Sequence, residues 1–196
     1  NYKRVVVEFQ GTSEANDALL GIKNIYVDLN QVDTYIAFAE KYGSIGIVSV
    51  NEKDSLTYLA AEKIYMTGNW KLSGKLFGDY LTNYGNGRFA LNAHYYRGDC
   101  YHRDQVDDSA LTDYMYVIEK PKNIFTEPSL LNAAAIYQQK GNDSLAYDLF
   151  KKLENQAEVK ANLLIARKGQ MQAAFKKEDY DEAIESARRV IMTDKV

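Results

Sequence analysis

The chain has 196 residues, 46% apolar and 26% charged, with a formal net charge of −3. Its twelve glycines and two prolines are too few for the tight turns of an all-β domain, and its mild acidity argues against nucleic acid as the main partner, because phosphate binding needs a basic face. No apolar run approaches the roughly 20 residues that span a bilayer, and the single cysteine, Cys100, rules out an internal disulfide and reads as a small packed hydrophobe.

Apolar residues at helical spacing divide the chain into eleven predicted helices. The first, from Asn1 to Phe9, reads as the tail of a helix pair. Paired helices follow over Ser13–Asp28 and Asp33–Tyr42, with Ser13 expected as an N-cap. The segment Gly43–Val50 breaks the rhythm. It holds two glycines and the apolar Ile45, Ile47, Val48 and Val50, and it is expected as a loop tucked over a hydrophobic edge, with a functional lid as the lesser reading. The next pairs are Asp54–Thr67 with Trp70–Tyr84, Arg88–Arg103 with Val106–Glu119, and Glu127–Lys140 with Asp143–Gln156. Pro128 falls in a first helical turn, where its missing N–H costs little. The last pair is Val159–Lys177 with Tyr180–Thr193.

These pairs repeat. The polar breaks at Gly68-Asn69-Trp70, Asp104–Asp107, Gly141-Asn142-Asp143 and Glu178-Asp179-Tyr180 are each followed by a small residue: Ser73, Ala110, Ala146 and Ala183. Successive small residues stand 37, 36 and 37 positions apart. Tyr35, after a weaker break at Leu29-Asn30-Gln31, precedes Ser73 by 38. Helices whose axes cross at 8–10 Å have no room for bulk at the crossing, which calls for small residues there. Ala61, Gly98 and Ala134 are the expected facing positions. Four residues after the small position come Phe77, Tyr114 and Phe150, on the same helix face, where they fill the space between hairpins. A four-helix bundle would also explain the amphipathic stripes, but not a small-then-aromatic signature at near-constant spacing.

This pattern resembles the tetratricopeptide (TPR) repeat family. The likeness is strong at Ser73/Phe77, Ala110/Tyr114, Ala146/Phe150 and Ala183. It is weaker in the first helices, where Thr57, His94, Leu130 and Arg167 stand in place of the family's tryptophan, and the closing proline survives only as Pro121. The long turns are most similar to TPR proteins of the Bacteroides-type bacterial cell envelope. The resemblance implies an all-α fold, a right-handed α-α superhelix of about five hairpins plus a leading half-repeat. It is expected as one domain over residues 1–196 and as an excerpt of a longer array.

Little points to catalysis, and the chain is expected not to be an enzyme. His94 and His102 are about 12 Å apart along one helix, too far to share a metal. No His-Glu-x-x-His, Cys-x-x-Cys, EF-hand, phosphate-loop or nucleophile-elbow spacing occurs. The carboxylate pairs Asp107/Asp108 and Asp179/Asp181 fall at helix starts, where they cap N–H groups. No cofactor or metal is expected.

What the resemblance implies instead is a scaffold that binds a partner protein or peptide in a concave groove lined by first helices. Carried over residue by residue, the groove is expected to include Tyr58, Glu62, Tyr65, Tyr95, Asp99, His102, Arg103 and Gln138. Asn24, Asp28, Leu131, Ala135, Gln139, Lys168 and Gln172 are flanking members. The alternative is a carbohydrate- or small-ligand-binding envelope lipoprotein component that uses aromatic platforms; the chain has sixteen tyrosines.

Overall fold

The computed structural model describes residues 1–42 and 48–194. Among these residues there are eleven α-helices and no strand. The chain divides into two compact units, Asn1–Asp104 and Gln105–Val196. The first holds α1 (Tyr2–Glu8), α2 (Ser13–Asp28), α3 (Val32–Tyr42), α4 (Val50–Met66), α5 (Trp70–Tyr84) and α6 (Ala90–Arg103). The second holds α7 (Asp107–Ile118), α8 (Thr126–Gln139), α9 (Asp143–Gln156), α10 (Lys160–Lys176) and α11 (Tyr180–Asp194).

Left-handed backbone marks the repeat. Asn30, Gly68, Gln105, Gly141 and Glu178 have φ between +53° and +79°, and each lies in the turn that joins an even-numbered helix to the odd-numbered one after it. In three of these turns the hydrogen bonds are those of a Schellman stop. The N–H of Gln31 donates to Tyr26 O, that of Asn142 to Tyr137 O, and that of Asp179 to Ala174 O, at 2.7, 2.9 and 3.0 Å. The following residue then caps the next helix in three of the hairpins: Asn69 accepts from Leu72 N, Asn142 from Leu145 N and Asp179 from Glu182 N.

The small positions pack as the spacing predicts. Ser73, Ala110 and Ala146 are fully buried and Ala183 nearly so. The expected partners Ala61, Gly98 and Ala134 are buried too. At the α4–α5 crossing the helices approach closely enough for Ser73 Oγ to donate to Ala61 O at 3.2 Å. In the second unit Gly169 of α10 lies against the Phe150 ring of α9, and a Cβ there would fall 2.5 Å from it. One core of the first unit gathers Leu19, Ile22, Val32, Tyr35 and Leu56. A second gathers Tyr58, Ala61, Phe77, Tyr80 and Ala93.

Three local expectations are corrected. Thr12, not Ser13, caps α2, because its hydroxyl accepts from Ala15 N at 3.2 Å. Helix α4 starts at Val50, four residues before the expected Asp54, because Ser49 caps it by accepting from Glu52 N at 3.1 Å. Helix α6 starts at Ala90 rather than Arg88, because the preceding turn is held elsewhere. Buried Asp54 accepts from Arg88 N at 2.9 Å and from Tyr80 Oη at 2.5 Å, and Tyr80 Oη accepts from Phe89 N at 3.1 Å. Of the Gly43–Val50 segment, residues 43–47 lie outside the described residues. Val48 is buried in the first core, and Val50 is exposed on α4.

Candidate functional site

The expected groove residues fall on α4 and α6 in the first unit and on α8 in the second. Within each unit, successive even-numbered helices stand side by side, joined by polar links at nearly constant sequence separation. Lys63 of α4 pairs with Asp28 of α2. Tyr65 Oη of α4 donates to Asp99 Oδ2 of α6 at 2.7 Å. In the second unit, Gln138 Nε2 of α8 donates to Gln172 Oε1 of α10 at 3.0 Å. Five of the expected residues and flanking members (Asp28, Tyr65, Asp99, Gln138 and Gln172) are thus linking positions between neighbouring first helices.

Asp99 is the hub. It is only 8% exposed, yet its Oδ2 receives both Tyr65 Oη and Arg103 Nε, the latter at 2.6 Å. A charge-assisted bond from the next turn of the same helix offsets the cost of burying a carboxylate. The Arg103 guanidinium lies over the Trp70 ring, 4.4 Å from its centroid, while its side chain stays 46% exposed. Stacking and pairing together fix its plane. Trp70 in turn meets Tyr65 edge-on at 5.1 Å, and Tyr65 meets Tyr96 at 4.8 Å. Tyr95 adjoins Tyr96 edge-on at 5.4 Å.

The electrostatics follow from this crowding. The Asp99 hydrogen bond, before any other cause, raises Arg103 above its ordinary value. Burial first, and then the Asp99 carboxylate, raise the Tyr65 phenol well above its usual range. Tyr95 is pushed up to about 12 by burial foremost and by Asp99. These phenols stay neutral hydrogen-bond donors at any physiological pH.

Not every expected residue reaches this surface. Tyr58 is buried, stacked on Phe89 at 4.5 Å and tilted against Phe77 at 5.9 Å. It lies three residues before Ala61, on the stripe of α4 that turns toward α5, so its ring fills the hairpin rather than lining a groove. Its hydroxyl still emerges to donate to Glu62 Oε1 at 2.8 Å. Glu62 is partly buried beside it. His102 is partly buried in the last turn of α6, next to Arg103. Gln138 belongs to the second unit and joins a different cluster. Trp70 and Tyr96 are additions to the expected groove residues. Trp70 opens a second helix, and only its place directly after the Gly68-Asn69 break, one turn beyond Tyr65, hints that it returns to the first-helix side.

Among the described residues, no group of three or more histidine, cysteine or acidic side chains is arranged to hold a metal ion. No described helix is long and apolar enough to cross a membrane.

No protein-family model matches the chain, and no curated protein matches it either. Solved structures do. A MamA from Desulfovibrio magneticus RS-1, spanning residue 41 to its end, superposes with a TM-score of 0.59 at 13% identity, over 91% of this chain and 94% of that one. A double mutant of MamA RS-1 gives 0.60 at 12% identity with the same coverage. A kinesin-light-chain-type protein of Podospora anserina, built of nearly identical TPR-like repeats, gives 0.56 at 12% identity, over 99% of this chain and 96% of that one. At such identities the likeness is one of fold, and the fold of this chain is that of the TPR-like helical repeats.

Proposed function

We propose that the chain is a protein-interaction scaffold that holds a partner protein or peptide against the first-helix side of α4 and α6. The observation that carries this reading is the fixed constellation of Tyr65, Trp70, Asp99 and Arg103. Binding normally costs the ordering of long side chains. Here the arginine is already ordered by Asp99 and Trp70, yet remains half exposed. Tyrosine, tryptophan and arginine are the residues that most often carry interface energy, and they do so where they are rigid and clustered.

A glycan-binding role is less well supported by the same geometry. The guanidinium of Arg103 covers a face of Trp70 that a sugar ring would need, and Tyr58 is sunk in the core.

The test is affinity capture of a partner from the native organism, followed by variants. Tyr95→Ala or Arg103→Ala is expected to weaken the captured complex by at least about 1 kcal/mol. Lys75→Glu and Asp79→Lys, on the exposed side of α5, should leave it intact. The reverse pattern would place the partner on the second helices and end this assignment.

A further inference from the structure

Three tyrosines of the first unit direct their phenolic protons at carboxylates. Tyr58 Oη donates to Glu62 Oε1 at 2.8 Å, Tyr65 Oη to Asp99 Oδ2 at 2.7 Å and Tyr80 Oη to Asp54 Oδ1 at 2.5 Å. A buried tyrosine needs only some acceptor for its hydroxyl, and a backbone carbonyl serves without the cost of burying a charge. A carboxylate adds what a carbonyl lacks, the ability to take the proton away. The rings also touch. Tyr65 meets Phe77 at 6.5 Å, and Tyr58 meets Phe77 at 5.9 Å and Tyr80 at 5.8 Å. At the outer end stands Trp70, the chain's only tryptophan, partly exposed and 5.1 Å from Tyr65.

An indole gives up an electron more readily than a phenol or a phenyl ring, so a one-electron oxidant in solution attacks Trp70 first, and the thiol of Cys100 is buried. The Arg103 guanidinium, 4.4 Å from the indole centroid, opposes a second positive charge there. The oxidised indole therefore sheds its N–H proton to water and is left as a neutral radical. We propose that Trp70, Tyr65 and Tyr58 form a relay that moves an oxidising equivalent from the surface into the tyrosine cluster, with Asp99 and Glu62 as its proton acceptors.

The steps balance as follows. An electron passes from Tyr65 to the indolyl radical, which regains a proton from water, and the phenolic proton of Tyr65 passes to Asp99 Oδ2. Trp70 is restored, Tyr65 is a neutral phenoxyl radical and Asp99 a carboxylic acid. Tyr58 lies seven residues back on α4, about 10 Å along the helix axis, with the Phe77 ring against both tyrosines. Its electron restores Tyr65, which takes its proton back from Asp99, while the Tyr58 proton passes to Glu62. A reductant in solution, a thiol or ascorbate, finally returns one electron and Glu62 returns the proton. The relay preserves the constellation it starts from, because a hydroxylated or ring-opened indole no longer offers Arg103 a flat face. It needs no partner and is independent of the scaffold reading.

The test uses azide radical made by pulse radiolysis, which takes an electron from indole much faster than from phenol. In the whole chain the indolyl absorption is expected to decay as phenoxyl absorption grows, at a rate independent of protein concentration. The decay should be at least twofold slower in heavy water, since a proton moves with the electron. Tyr65→Phe, which keeps the ring, should slow it at least tenfold. Asp99→Asn, which keeps Tyr65 but cannot take its proton, should slow it at least threefold; where that variant does not fold, the heavy-water result on the unaltered chain decides. Tyr58→Phe should leave the decay unchanged but make the phenoxyl react at least threefold faster with added ascorbate, because the radical then stays nearer the surface. Under steady exposure to the same radical, peptide mass spectrometry should find more oxidised Trp70 in Tyr65→Phe than in the unaltered chain. A decay that follows protein concentration, ignores heavy water, or is unchanged in Tyr65→Phe or in folded Asp99→Asn would overturn the relay, as would equal oxidation of Trp70 with and without the Tyr65 hydroxyl. Ascorbate reactivity unchanged by Tyr58→Phe would overturn its inward step.

Discussion

At the scale of single residues, two kinds of glycine have opposite roles. Gly169 is there for space. Its missing Cβ leaves room for the Phe150 ring, and the nearest ring carbons would be 2.5 Å from an added methyl. Gly169→Ala is expected to cost about 1–3 kcal/mol, the usual penalty of overpacking, measured as a lower denaturant midpoint at unchanged slope. Gly141 is there for conformation. It has φ +73°, and the space where a Cβ would lie is open, so only the left-handed backbone resists a side chain. Glu178 occupies the equivalent turn at φ +62° with a side chain in place. Glu178→Gly should therefore stabilise by roughly 0.5–1 kcal/mol, and Gly141→Ala should destabilise by about as much. If the two changes shift the midpoint in the same direction, the shared-turn account fails.

At the scale of elements, legibility follows periodicity. The bounds of α2, α5 and α9 match their expected ranges, because each begins at a polar break and carries an unbroken apolar stripe. Helix α4 reads short in the sequence because its cap, Ser49, sits at the edge of an apolar, glycine-containing stretch that masks the Ser-x-x-Glu signal. The start of α6 reads early because a carboxylate 34 residues away, Asp54, holds the turn before it. No local pattern announces such a partner. The same applies to the candidate site. Tyr65, Asp99 and Arg103 are legible from their register, but Trp70's place under Arg103 depends on how α5 turns back on α4. The partly buried ion cluster of the second unit, where Glu154 accepts from Arg167 and Gln170 at 2.7 Å each and faces Arg189, is equally non-local. Burial raises Glu154, but hydrogen bonds from Gln170 and Arg167 and the charge of Arg189 outweigh it and hold its carboxyl below the ordinary value of 4.5. A depressed carboxyl contributes stability that is present above about pH 4.5 and is lost as pH falls through the folded value. Glu154→Gln should therefore melt lower than the unaltered chain at pH 7, and the gap should narrow as pH drops below about 4.5. A gap that stays constant over that range would show that the glutamate's charge is not what stabilises the cluster.

At the scale of the whole molecule, packing runs along the chain. In the second unit α7 meets α8, α8 meets α9, α9 meets α10 and α10 meets α11, with α8 and α10 also in contact. In the first unit α4 bridges the leading helices α2 and α3 to α5, and α5 packs on α6. Where each element touches only near neighbours, stability is close to a sum of local terms and nearest-neighbour couplings. A lesion should then be felt most where it is made and fade with separation along the array. Gly169→Ala provides the lesion, because its added methyl meets the Phe150 ring and wedges α10 away from α9 at their crossing. Hydrogen exchange followed by mass spectrometry should show the largest loss of protection in α9 and α10, a smaller loss in α8 and α11, and the least in α1 to α3. Equal loss in all eleven helices would mean that the chain unfolds as one cooperative body, and stability would then have to be assigned to the whole fold rather than to its hairpins.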